Sequence, residues 1–313
     1  MKRRIGLYIL LICVVMVMSG CAQKKEVVKE VMEEVPLEME FSYNADYWNT
    51  DYFTDSVFTS QEEFERIVKE EIVDICNLLG YSDFWIEENP NATNMILSVE
   101  FMGLPRSTAG RLTAFGKNNV WGELNLSTNM KLFQDSALAH ELTHILTGST
   151  LSISLEEGLC EYVRERVGYS SVMDFFASHG WVIGEQERLK LDYQLYQIRY
   201  LGSEEWTEED FEQIWEHIGE VGTAYPYVVN TSRSSLWYVL SNSFTVYLIE
   251  EYGVDAVIDI LQKGEDESAY QQYIGKDLKT LKTEWRQYFD ELETSITPEE
   301  YEKKMIEMVE MLK

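Results

Sequence analysis

The residues whose types and spacing point to chemistry are His140, Glu141 and His144, within the run Ser136-Ala-Leu-Ala-His-Glu-Leu-Thr-His-Ile-Leu-Thr-Gly148. On a helix, His140 and His144 stand one turn apart and project from one face, so both imidazoles reach a single metal ion. Glu141 lies beside them, where a carboxylate can hold and deprotonate a water activated by that metal. The chain has only four His, so the pairing is not a by-product of abundance. A metal centre that works on a substrate needs a third protein ligand and one open position. The following segment, Leu155-Glu-Glu-Gly-Leu-Cys-Glu-Tyr-Val163, supplies carboxylates. Glu157 and Glu161 share a helical face, with Glu156 expected to point elsewhere, and spacing alone leaves both Glu157 and Glu161 open as the third ligand.

The elements that must hold these residues can be read from periodicity. Leu138, Leu142, Ile145 and Leu146 give the metal-binding segment apolar positions, and Gly148 ends it, which predicts a helix over 133–147. Further helices are expected over 154–167, about 207–219, 234–252, 254–263, 277–293 and 298–312. Upstream, Phe64, Ile67, Val68, Ile72, Ile75, Leu78 and Leu79 recur at helical spacing and stop at Gly80. Short strands follow at 95–101, 111–115 and 120–127, the last two flanking a Gly116–Asn119 turn as a hairpin. Trp285, Tyr288 and Phe289 recur at helical spacing and are assigned to the core. The fold class expected is α+β and predominantly helical, with a small sheet containing antiparallel strands packed on the helix that carries the two histidines.

His-Glu-x-x-His followed by a helix beginning Leu-x-Glu-Gly-x-x-x-Tyr resembles the gluzincin metallopeptidases, the thermolysin and aminopeptidase-like group. In that pattern the Glu directly before Gly is the zinc ligand, which maps onto Glu157; the His144–Glu157 separation is shorter than in many members. The run Tyr238–Gly253 is similar to a later helix of bacterial peptidase-MA-like proteins, and Gly275-Lys-Asp-Leu to Trp285 fits their C-terminal pattern. The likeness spans about 110–300, and residues 41–109 carry no family motif. It implies a gluzincin-like catalytic core, Zn²⁺ held by His140, His144 and Glu157, and hydrolysis of a peptide or protein substrate with Glu141 as general base. It also implies a second donor to the oxyanion, which Tyr238 matches best by position, with His217, His179 and Tyr227 behind it. The strand at 120–127 would be the edge along which an extended peptide aligns. Glu161 is either a partner to a ligand or a solvated charge, and Thr143 and Cys160 are expected only to pack around the site. A catalytically silent binding lipoprotein of the same fold, or a zinc hydrolase of a non-peptide amide or ester, are the alternative readings.

Lys2, Arg3 and Arg4 precede an uncharged, mostly apolar run from Ile5 to Met18, shorter than the ~20 residues that span a bilayer. Ser19-Gly20-Cys21 follows. The whole has the plan of a secretory signal peptide, and its ending resembles a bacterial lipobox, with Met18 where Leu is usual. This implies cleavage after residue 20 and a lipid on Cys21 that anchors the chain to the extracytoplasmic side of the membrane. Residues 21–40 then read as a charged tether, with 41–132 an α+β portion and 133–313 the helical portion, together one catalytic unit. The anchor also reconciles the charge with the membrane. With 26 Lys+Arg against 55 Asp+Glu the net charge is −29, which repels phosphate backbones and anionic headgroups alike. Nucleic acid is excluded as a partner. Loss of 1–20 would remove Lys2, Arg3 and Arg4 and no acid, making the remainder more acidic still. Cys13 would leave with the signal, so only Cys76 and Cys160 stay as thiols or as a disulfide.

Overall fold

A computed structural model describes residues 32–43, 60–80, 89–102, 108–127, 134–147, 151–167, 176–203, 206–222 and 231–311. Residues 1–20, expected to be a signal peptide, lie outside these residues, as do Cys21 and Tyr227. The elements run β1 (Glu38–Tyr43), α1 (Gln61–Leu79), β2 (Asn94–Met102), β3 (Thr108–Phe115), β4 (Asn119–Ser127), α2 (Gln134–Thr147) and α3 (Ile153–Arg164). Then come α4 (Glu185–Tyr200), α5 (Glu208–His217), α6 (Thr231–Tyr252), α7 (Val254–Lys263), α8 (Ser268–Tyr273), α9 (Leu278–Glu291) and α10 (Pro298–Met311). The protein is a mixed α+β fold, mostly helical, with one small four-stranded mixed sheet. Among the described residues no helix is long and apolar enough to cross a membrane.

The sheet has the order β1-β2-β4-β3, with β1, β2 and β4 parallel and β3 antiparallel to β4. The hairpin is as the Gly116 turn implies. Strand β4, however, is internal, flanked by β2 and β3, so among the described residues the edge beside the hairpin is β3 and not the 120–127 strand. The register brings Met95, Leu97, Val99 and Phe101 alongside Val120, Gly122, Leu124 and Leu126 on one face, and all of these apolar side chains are buried. Period-two alternation with one covered face accounts for this pattern. Helix α1 covers the β1–β2 side, where Phe64 meets Phe101, Phe41 and Tyr43 edge-on. Helix α2 crosses nearer β3 and β4. It comes so close that a Cβ on Gly122 would sit 3.0 Å from Ile145 and 3.3 Å from Leu112.

Residues 32–40 are not tether. Met32 and Asn77 exchange two hydrogen bonds of 2.8 and 2.9 Å, Leu37 is buried, and β1 begins at Glu38. The folded unit thus starts earlier than the charge pattern suggests. The helix α4 is also additional to the periodic ones. Its buried set, Glu185, Gln186, Arg188, Leu189, Leu191, Tyr193 and Leu195, mixes polar with apolar residues and follows no single stripe.

Helix α6 is the hub of the helical portion. Leu236, Trp237, Leu240, Phe244, Val246 and Leu248 are buried, and so are Ser241, Asn242, Ser243 and Thr245, as expected of a helix packed on all sides. Ser243 ties α6 to its neighbours: Gln186 donates to the Ser243 carbonyl, Ser243 Oγ to Gln186 Oε1 (each 2.8 Å), and Trp285 Nε1 to Ser243 Oγ (3.0 Å). Trp285 and Phe289 are core residues, as their spacing implies. Cys76 and Cys160 are both buried and free, with no disulfide between them.

Candidate metal centre

Helices α2 and α3 are joined by residues 148–152 and pack as an antiparallel pair, the usual outcome of a short helix–helix connection. Ser152 caps α3 by accepting from the Leu155 amide. Within α2, Thr143 and Thr147 return their hydroxyls to the carbonyls of Ala139 and Thr143 at 2.7 Å, so the buried polar groups need no outside partner. On the other side, α3 presses against α6. A Cβ on Gly158 would lie 2.2 Å from Thr245 Oγ1 and 2.3 Å from the Ser241 carbonyl oxygen, so only glycine permits this approach. Gly158 thereby seats α3 on α6, while the adjacent Glu157 meets His140 and His144 of α2.

Three ligand atoms converge. His140 Nε2 and His144 Nε2 are 3.2 Å apart, and Glu157 Oε2 lies 3.2 Å from the first and 3.4 Å from the second. Four-coordinate zinc with bonds of about 2.0–2.1 Å has ligand–ligand edges of about 3.3 Å. The donor set of two imidazoles and a carboxylate therefore fits such an ion in both chemistry and spacing. The outward ring nitrogens also meet carboxylates: His144 Nδ1 is 2.9 Å from Glu156 Oε1, and His140 Nδ1 is 3.1 Å from Glu161 Oε1. The first is an aligned hydrogen bond; the second is a close contact off the hydrogen-bonding line. Arg164 Nη1 donates to the same Glu161 oxygen at 3.2 Å. Carboxylates on the far nitrogens fix the tautomer and ring orientation of metal-binding histidines.

Glu156 is thus part of the cluster, contrary to the expectation that it points away. Cys160 is a second residue that sequence reasoning underrates. It is fully buried, and a ligand nitrogen of each histidine and the Cys160 sulfur all lie within 4.8 Å of one another.

The electrostatics follow from burial and these pairings. Burial opposes a charged imidazole at His140, but the nearby carboxylates of Glu157 and Glu161 outweigh it and raise its pKa to about 9. His144 is likewise raised, with burial overcome by Cys160, Glu156 and Glu157. Burial works against the charge on Glu157 too, yet the two imidazoles hold its carboxyl well below the usual range. For Glu161 the desolvation is offset chiefly by Arg164 and His140, and the shift is downward. Glu141 goes the other way: burial raises it, and His140 and His144 only partly restore it. Burial also pushes the Cys160 thiol up to about 12.

A cavity of about 530 Å³ opens beside the cluster. His140, Glu141 and Glu161 line it from α2 and α3, Arg188 and Asp192 from α4, and Tyr238 and Asn242 from α6. So Tyr238 shares one chamber with His140 and Glu141. His217, paired with Glu220 at 2.7 Å, and His179, beside Ser178 at 3.2 Å, do not line it. The chamber's far wall is an ionic network. Arg188 pairs with Glu165 and, at 2.9 Å, with Asp192; Asn242 donates to Glu165 at 3.1 Å and Tyr301 to Asp192 at 2.8 Å. A larger recess of about 780 Å³ beside α5 and α9 is lined by Trp215, Trp285 and Arg286 among acidic residues, and holds none of the cluster. Family models, curated protein sequences and solved structures were all compared with this chain, and none matches it.

Proposed function

We propose that this chain is a zinc metallopeptidase of the gluzincin type, lipid-anchored through Cys21 on the extracytoplasmic side of a bacterial membrane. The observation that carries the reading is the triangle of His140 Nε2, His144 Nε2 and Glu157 Oε2, with edges of 3.2–3.4 Å. Zinc in that triangle would act as a Lewis acid toward water and a substrate carbonyl. The chain's own residues do the rest. Glu141 takes the proton from the attacking water and returns it to the leaving amine. Its burial suits this, because a carboxylate with raised proton affinity is the better base near neutral pH. Tyr238, in the same chamber, donates to the developing oxyanion. Glu156 and Glu161 orient the two imidazoles. Strand β3, an edge of the sheet among the described residues, offers its backbone to an extended peptide, a role that the interior strand β4 does not fill.

The test uses the full chain in detergent. Wild type should hold one zinc per chain by elemental analysis and cleave members of a diverse peptide library. His144→Ala should lose the metal, and Glu141→Gln should keep the metal and lose cleavage. Zinc without cleavage would favour a binding lipoprotein or a non-peptide hydrolase, and no zinc would overturn the site.

A further inference from the structure

The hydrolytic reading leaves Cys160 unused, yet its surroundings differ from those of an ordinary core thiol. A buried free cysteine is normally a small hydrophobe whose neighbours are apolar, as Cys76 is on α1 among Ile72, Ile75 and Leu79. Cys160 instead sits one helical turn beyond Glu156 and Glu157, fully buried, with two histidines for neighbours. Its sulfur lies within 4.8 Å of a ligand nitrogen of both His140 and His144. In a tetrahedral site with metal–sulfur bonds of about 2.3 Å and metal–nitrogen bonds of about 2.0–2.1 Å, a nitrogen–sulfur edge is about 3.6 Å. The difference is within reach of a rotation about the Cys160 Cα–Cβ bond.

We infer that Cys160 is a fourth protein ligand to the metal held by His140, His144 and Glu157, giving a resting centre of two nitrogens, one oxygen and one sulfur. The inference rests on the metal reading proposed above. Coordination replaces the sulfur–hydrogen bond with a sulfur–metal bond; the proton passes to water and no oxidation state changes. Two consequences follow. A centre with four protein ligands is closed, so the position that hydrolysis requires opens only when the sulfur leaves. A thiolate also biases the site toward zinc, cobalt and cadmium and away from magnesium, calcium and manganese, which the surrounding carboxylates would otherwise favour.

Cobalt(II) is the probe, added to the metal-free full chain in detergent. Wild type should show visible ligand-field bands together with a near-ultraviolet thiolate-to-cobalt charge-transfer band. Cys160→Ser should lose the charge-transfer band and keep the visible bands, and Cys76→Ser should keep both. Cadmium affinity should fall roughly tenfold or more in Cys160→Ser while magnesium affinity stays unchanged. Cobalt bound without a charge-transfer band, or a band that survives Cys160→Ser, overturns the role of Cys160 and leaves the three-ligand centre standing. Failure of wild type to bind either cobalt or zinc overturns both.

Discussion

Replacing Gly158 with alanine should loosen the metal cluster without touching any ligand. The added Cβ would meet Thr245 Oγ1 at 2.2 Å, the Ser241 carbonyl oxygen at 2.3 Å and its carbon at 2.7 Å. The threonine can rotate away, but the carbonyl belongs to the middle of α6, where Ser241 to Thr245 are all buried. Since carbon and carbonyl oxygen approach no closer than about 3.3 Å, α3 must withdraw from α6 by about 1 Å. Overpacking of this kind costs about 1–3 kcal/mol, and a clash with backbone belongs at the upper end. The gain of about 1 kcal/mol from alanine's better helix propensity offsets part of it. A net loss of about 2 kcal/mol corresponds to a Tm lower by roughly 3–4 °C for a chain of this size, at about 2.1 cal/mol/K of unfolding entropy per residue. The displacement also carries the adjacent Glu157 out of a triangle whose edges are only 3.2–3.4 Å, so zinc affinity should drop roughly 10- to 100-fold, as when a ligand's support is removed. Thermal unfolding with and without zinc, and competition against a chelator, measure both. Gly184→Ala is the control, because its nearest neighbour is 3.8 Å away and its backbone is ordinary; it should melt with wild type or slightly above. If Gly158→Ala binds zinc and melts like wild type, the α3–α6 approach does not set the position of Glu157.

Glu156→Gln and Glu161→Gln should each weaken zinc binding by roughly 10- to 100-fold with the fold intact, by loss of the carboxylate on the far ring nitrogen; wild-type affinity in both would remove their orienting role. Arg188→Met strands the buried carboxylates of Glu165 and Asp192 and should cost about 3–5 kcal/mol in urea unfolding, and a loss under 1 kcal/mol would show that the network is not held by this pair. The metal-free protein should lose stability as pH rises. Burial disfavours a charged His140, but Glu157 and Glu161 lift its folded pKa to about 9, against about 6.5 unfolded. Between those values the folded state binds the extra proton, so up to about 3 kcal/mol is present below about pH 6.5 and gone above about pH 9. Melting curves from pH 6 to 10 with chelator should show the fall, and a flat profile would refute it.

How much of this fold is legible in sequence depends on whether burial is one-sided. Helix α1 buries one apolar stripe, and its limits, Gln61–Leu79, follow from spacing and a terminating glycine; helix α2 is covered on nearly every side over 138–147, and its apolar residues mark it without a single stripe. Helix α4 has no such stripe, because its buried Glu185, Gln186 and Arg188 are matched by Arg166, Ser243 and Glu165 on other elements. Nothing local announces those partners. Strand β1 does alternate, with Met39, Phe41 and Tyr43 inward and Glu38, Glu40 and Ser42 outward. The acidic run before it hides the strand among tether-like residues. The depth of β4 is likewise a long-range fact. Its hairpin partner β3 is evident from the Gly116 turn, but its pairing with β2 depends on a parallel register that no local pattern encodes.

The cluster itself was more legible than it looked. At about 100° per residue, Glu156, Cys160, Glu157 and Glu161 fall near 0°, 40°, 100° and 140° on α3, a single arc wide enough to face a partner helix. Glu157 and Glu161 alone occupy only the second half of that arc. Antiparallel packing after a short connection decides who meets whom, because a step back along α2 is a step forward along α3. His144, near the end of α2, must then meet the start of α3, which is Glu156, and His140, one turn earlier, must meet Glu161. Glu157 lies between them and touches both rings. The same progression puts Cys160, a turn past Glu156 on the same arc, near both histidines, so its nearness to them follows from the helix pair and not from a separate accident of packing.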